Sequence, residues 1–145
     1  MNNLREHMTN QLEKEFRALC RALYDLQIAY IFKVPEEMQQ TPCDFFGHTT
    51  TGIAVFVECK QVNRSALPIG TSNGIAGHQW IALKQAHQCG CYSFLVWRRG
   101  EETALVPFSV CLEAAVDRKS IAWSDVARLA QRPLQTALIE ALEGE

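Results

Sequence analysis

Leu4, Met8, Leu12, Phe16, Leu19, Leu23 and Leu26 recur at steps of three or four, a spacing that lines them up as one apolar stripe on a helix. The pattern predicts a helix from about Asn3 to Asp25. At Gln27 the period changes. The segment to Val34 carries Ile28, Tyr30, Ile31 and Phe32, and Pro35 closes it, which predicts a short strand. Cys43 to Phe46 then reads as a brief strand, Gly47 to Gly52 as a turn rich in Thr and Gly, and Ile53 to Lys60 as a buried strand, so the two strands form a hairpin. Side chains alternate across a strand. Ala54, Phe56, Glu58 and Lys60 therefore share one face, and Ile53, Val55, Val57 and Cys59 the other.

Gln61 to Gly77 shows no period. Asn63, Ser65, Pro68, Gly70, Ser72, Asn73, Gly74 and Gly77 give it the composition of a mobile loop, and loops of that length are usually functional lids or disordered segments. A helix is predicted from His78 to Gln88, stopped by Gly90 just past its end. Cys91 to Trp97 reads as a buried strand, Arg98 to Glu101 as a turn, and Thr103 to Val106 as the antiparallel return. The remainder is helical: Ser109 caps a helix to about Arg118, Ser124 a short one to Ala130, and Pro133 opens a last one ending near Glu143. The order of elements predicts an α/β fold with a mixed central sheet flanked by helices. Residues 1–145 are expected to form a single domain, with 107–145 as a helical extension packed on it.

Composition narrows the function without deciding it. A chain of 145 residues holds about one domain, and 48% hydrophobic with 21% charged residues is ordinary for a globular protein. No apolar run reaches the length needed to cross a bilayer and the N-terminus is charged rather than signal-like, so a soluble, cytoplasmic protein is expected. Its six cysteines are expected to be reduced thiols, because a chain with this much apolar residue needs no covalent staples. Cys89-Gly90-Cys91 is the only close pair, which argues against a structural zinc. The net charge of −2 removes bulk basicity as an argument for nucleic-acid binding. Any field that steers DNA must be local.

The chemistry lies in the hairpin. In-line cleavage of a phosphodiester needs an activated water, neutralised phosphate charge and a stabilised leaving oxygen, all of which hydrated Mg²⁺ can supply. Such an ion takes a few hard oxygen ligands and keeps several waters. Asp44 in the first strand and Glu58 near the end of the second can be brought together by the turn, and the main-chain oxygen of Cys59 points the same way. Lys60 follows on the face of Glu58, where its ammonium can hold the attacking water or offset charge on the phosphate. Alone, such a triplet is a common solvent-facing pair. Following the buried run Val55-Phe56-Val57, it is less expected.

Taken in order, Leu12-Glu13, the strand from Gln27 to Lys33 ending at Pro35, Asp44-Phe45-Phe46-Gly47, Phe56-Val57-Glu58-Cys59-Lys60, Leu67-Pro68, His78-Gln79 and the Gly90 to Trp97 strand resemble the core of the restriction-endonuclease-like, or PD-(D/E)XK, superfamily. The details look like RecU-type Holliday junction resolvases. The resemblance implies Asp44 and Glu58 as metal-binding carboxylates, Lys60 as the catalytic lysine, Gln79 as a further ligand through its amide oxygen and Glu13 as a helix acid near the metals. It also implies Mg²⁺ or Mn²⁺ as cofactor, four-way or other branched DNA as partner, and a nucleoid-associated or mobile-element setting. The chain departs from the family in having only Glu36 to Thr41 where a long stalk separates the first two strands, and Pro42 where a threonine is common.

Contact with DNA is expected from Lys33, Arg64, His78, Lys84, Arg98 and Arg99, which fall near the site or on adjacent loops. The C-terminal helices, with Trp123, Leu129, Leu134, Leu138 and Leu142, either bury against the core or form the face of a homodimer that pairs two cutting centres. Two rivals fit the same residues: a nuclease of this fold acting on another DNA in repair, restriction or mobile elements, and a DNA-binding or scaffolding module with a dead site.

Overall fold

The apolar stripe of the N-terminal segment folds as α1 (Asn2–Asp25) and lies against one face of a five-stranded sheet. The structure, a computed structural model, describes residues 2–35 and 41–143, with side chains from Gln11 onward. The side chains of Leu4 and Met8 and the connection from Glu36 to Gln40 lie outside the described residues. The sheet contains β1 (Ala29–Lys33), β2 (Phe45–Thr49), β3 (Ala54–Gln61), β5 (Tyr92–Arg99) and β6 (Glu102–Pro107), side by side in that order. Only β3 and β5 run parallel; the other neighbours are antiparallel. A parallel pair needs a crossover, and α2 (Gly77–Gln88) provides it. This is the mixed sheet flanked by helices that the sequence predicts.

Strand parity divides the core in two. Val55, Val57 and Cys59 of β3 pack with Leu12, Phe16, Leu19 and Leu23 of α1 and with Leu138 and Leu142 of α5 (Leu134–Glu143). On the opposite face Leu95 and Trp97 of β5 and Val106 of β6 pack with Leu83 of α2, Phe108 of α3 (Phe108–Ala114) and Trp123 of α4 (Trp123–Val126). Among the described residues no helix is long and apolar enough to cross a membrane.

Three stretches differ from expectation. The segment from Gln61 to Gly77 is not a loose loop: β4 (Ala66–Pro68) pairs antiparallel with β7 (Ser120–Ala122), and Leu67 and Ile75 are fully buried. The hairpin turn comes later than Gly47, because β2 continues to Thr49 and Gly47 sits inside it. A Cβ at Gly47 would lie 1.9 Å from the carbonyl oxygen of Tyr30, so glycine is there to let β1 approach, not to turn the chain. Ser109 and Ser124 lie inside α3 and α4 rather than capping them, and α3 ends at Ala114, short of Arg118. A 3-10 turn, Ala127–Gln131, follows α4.

Candidate active site

Asp44 stands just before β2, held on both sides of its backbone. Its N–H donates to the Val57 carbonyl at 3.0 Å, and its carbonyl accepts from the Val34 N–H at 2.8 Å. That anchoring aims the side chain at β3, where its Oδ2 accepts the Cys59 main-chain N–H at 2.9 Å. The carboxylate is thus tied to the residue between Glu58 and Lys60. In register, Glu58 lies beside Leu95 and Lys60 beside Trp97, so both share the face that α2 covers. Lys60 Nζ is 3.2 Å from Glu58 Oε2.

Glu58 is 1% exposed, and its surroundings do not favour charge. Burial, and then the charge of Asp44, push its carboxyl up to about 8 against the opposing pull of Lys60. Its second oxygen, Oε1, is buried without a hydrogen-bond partner, as is Oε1 of Gln79 in the first turn of α2. Buried acceptors left unpaired are costly and call for a donor or a cation. The Cys59 thiol reports the same concentration of charge: burial raises it most, and Asp44, Glu58 and Glu13 each raise it further. Glu13, half-buried on α1, faces Lys33 across 4.0 Å, and the Lys33 ammonium also donates to the Val34 carbonyl at 3.2 Å.

Asp44 and Glu58, linked through the Cys59 backbone, form a sparse, hard, oxygen-rich donor set. It suits a cation that keeps several waters, such as Mg²⁺ or Mn²⁺. Among the described residues no group of three or more His, Cys, Asp or Glu side chains is placed to hold a metal.

The predicted DNA contacts divide by location. Lys33 lies beside Glu13. His78 and Lys84 are exposed on α2, the helix over Glu58. Arg64 and Arg99 are joined where Arg99 Nε donates to the Arg64 carbonyl at 2.9 Å, and the Arg99 guanidinium lies 5.9 Å from the Trp123 ring. Arg98 points to the other face of the sheet. Its terminal nitrogens grip Glu15 of α1 at 2.9 and 2.6 Å and its Nε donates to Thr103 at 2.9 Å, so its donors are already engaged. Sequence reading also passed over Gln61, whose buried Oε1 has no partner. The available signal was its parity with Val55, Val57 and Cys59, a polar residue at an inward position.

No family model and no curated protein matches the sequence. A solved structure does. That of Hjc, a Holliday junction resolvase from the archaeal hyperthermophile Archaeoglobus fulgidus, matches with a TM-score of 0.52 at 16% identity, covering 77% of this chain and 88% of that one. The fold is restriction-endonuclease-like. At this identity the restriction-endonuclease-like fold is what the likeness carries. The site rests on its own geometry: Asp44, Glu58 and Lys60 converge on β3.

Proposed function

We propose that this protein is a divalent-cation-dependent endonuclease that cuts branched DNA, a Holliday junction resolvase of the RecU type working as a homodimer in the cytoplasm. The observation that supports it best is the meeting of Asp44, just before β2, with Glu58 and Lys60 of β3, where Glu58 keeps a buried oxygen without a partner. The likeness to a resolvase from Archaeoglobus fulgidus favours DNA with four-way branches over other phosphodiesters.

Asp44, Glu58 and the Gln79 amide, with the Cys59 carbonyl, would hold Mg²⁺ or Mn²⁺, which when bound neutralises phosphate charge and acidifies water. Asp44 is oriented for this by the Cys59 N–H. Lys60, partly exposed and 3.2 Å from Glu58, reaches from the buried acid to the solvent side, where it holds the attacking water and stabilises charge on the scissile phosphate. Glu13 sets the position of Lys33 beside the same centre.

The test is to incubate the purified protein with labelled four-way junction, flap, nicked and linear duplex DNA in Mg²⁺, in Ca²⁺ and in chelator. Paired symmetric cuts on junctions alone are expected, with Mg²⁺ and not with chelator. Glu58→Gln and Lys60→Ala should each lower cleavage by about a hundredfold or more while junction binding persists. Cutting of other DNAs would move the protein to a different nuclease role. Binding without cleavage under every condition would make it a scaffold.

A further inference from the structure

A second feature leads away from the site. Phe56 shares the β3 face of Glu58, and from it aromatic rings run outward across the sheet: Phe46 at 5.0 Å between centroids, then Phe32 at 6.0 Å, Tyr30 at 5.7 Å and Tyr24 at 5.8 Å. The inner rings pack against the core. The outer three do not, with Tyr24 60%, Tyr30 49% and Phe32 42% exposed. They line a cleft of about 440 Å³ between α1 and β1, together with Arg17, Arg21 and Lys33. β1 is the outer strand of the sheet, so its main chain also borders this cleft.

We propose that this cleft takes an unpaired stretch of the DNA strand being cut, with bases stacked on Tyr24, Tyr30 and Phe32 and phosphates on Arg17 and Arg21. Rings interleaved with cations along a groove are the chemistry that recognises single-stranded nucleic acid, because every base offers a π-face and every nucleotide a charge. In a duplex those faces are hidden. Glu13 meets this set through Lys33, at 4.0 Å. A second copy of this chain docking edge to edge at β1 would bring the cations of both copies together, which charge repulsion opposes. The proposal rests on the nuclease reading for its choice of DNA; binding itself can be measured without cleavage.

The experiment is fluorescence anisotropy of a short labelled oligothymidylate and a matching duplex, in chelator, with oligomeric state followed by light scattering. Tyr30→Ala and Phe32→Ala should each weaken oligothymidylate binding roughly tenfold and leave duplex binding unchanged, whereas Tyr30→Phe should bind as wild type because stacking needs the ring and not the hydroxyl. Tyr24→Ala, at the most exposed of the three rings, gives an independent variant should β1 not tolerate the change. Arg17→Ala and Arg21→Ala should each lower the slope of log affinity against log salt by about 0.7. Wild-type oligothymidylate binding by all the ring-deleted variants would overturn the proposal. So would loss of a dimer in those variants with binding intact, which would assign the rings to a second copy. Ring-dependent binding with no DNA cut under any metal would leave the cleft standing and remove the nuclease reading. Normal junction cutting with ring-independent binding would remove the cleft alone.

Discussion

Replacing Glu58 by glutamine should make the cation-free protein more stable even as it removes activity. The buried carboxyl titrates near 8 instead of its ordinary 4.5, with burial the largest cause and the charge of Asp44 the next. Between those values the folded state binds the proton more tightly than the unfolded chain, so stability falls as pH rises through that window and levels off above it. At about 1.4 kcal/mol per pH unit, the interval from 4.5 to about 8 sets a ceiling of roughly 5 kcal/mol. Relaxation and water entry around the ionised form reduce the realised effect to about 2 kcal/mol. Glutamine keeps the shape and an oxygen for Lys60 while removing the charge. For a chain of this size about 2 kcal/mol corresponds to a melting temperature roughly 6 °C higher. The assay is thermal unfolding of both proteins in chelator at pH 5 and pH 9. The curves should nearly coincide at pH 5, and the variant should lead at pH 9. Adding Mg²⁺ or Mn²⁺ at pH 9 should then stabilise the wild type and not the variant, closing the gap. A variant that melts at or below the wild type at pH 9, or a gap equal at both pH values, would refute the reasoning.

Other consequences follow from single contacts. Gly47→Ala places a methyl 1.9 Å from the Tyr30 carbonyl and should cost about 3 kcal/mol by prising β1 from β2, seen as a lower urea midpoint with an unchanged slope. Arg98→Ala should cost no more than about 1 kcal/mol, because Glu15 is half-exposed. It should also leave the salt dependence of DNA binding unchanged; a slope lower by about one would show that Arg98 meets a phosphate after all. A thiol reagent under native conditions should modify Cys89 and Cys91 rapidly and spare Cys20, Cys43, Cys59 and Cys111, since burial raises those four thiols and closes them to solvent. Rapid reaction of Cys59 would mean that the site opens.

The sequence by itself determined whatever depends on period and on neighbours along the chain. The stripe through Leu12, Phe16, Leu19 and Leu23 specified α1 and its buried face, and Gly90, at φ 86, marked the end of α2. Alternation along β3 places Glu58 and Lys60 on one side and Cys59 on the other. The tertiary structure alone decided contacts between residues far apart in the chain. Arg98 looks like a free cation in sequence, and only the packing of α1 on the sheet puts Glu15, 83 residues away, within its grip. β4 and β7 are too short to announce themselves, and each is a strand only because the other lies beside it. Gly47 reads as a turn residue until β1 is seen passing over it. Local pattern fixes which face a side chain takes, whereas burial, charge and partner are properties of what the fold brings to that face.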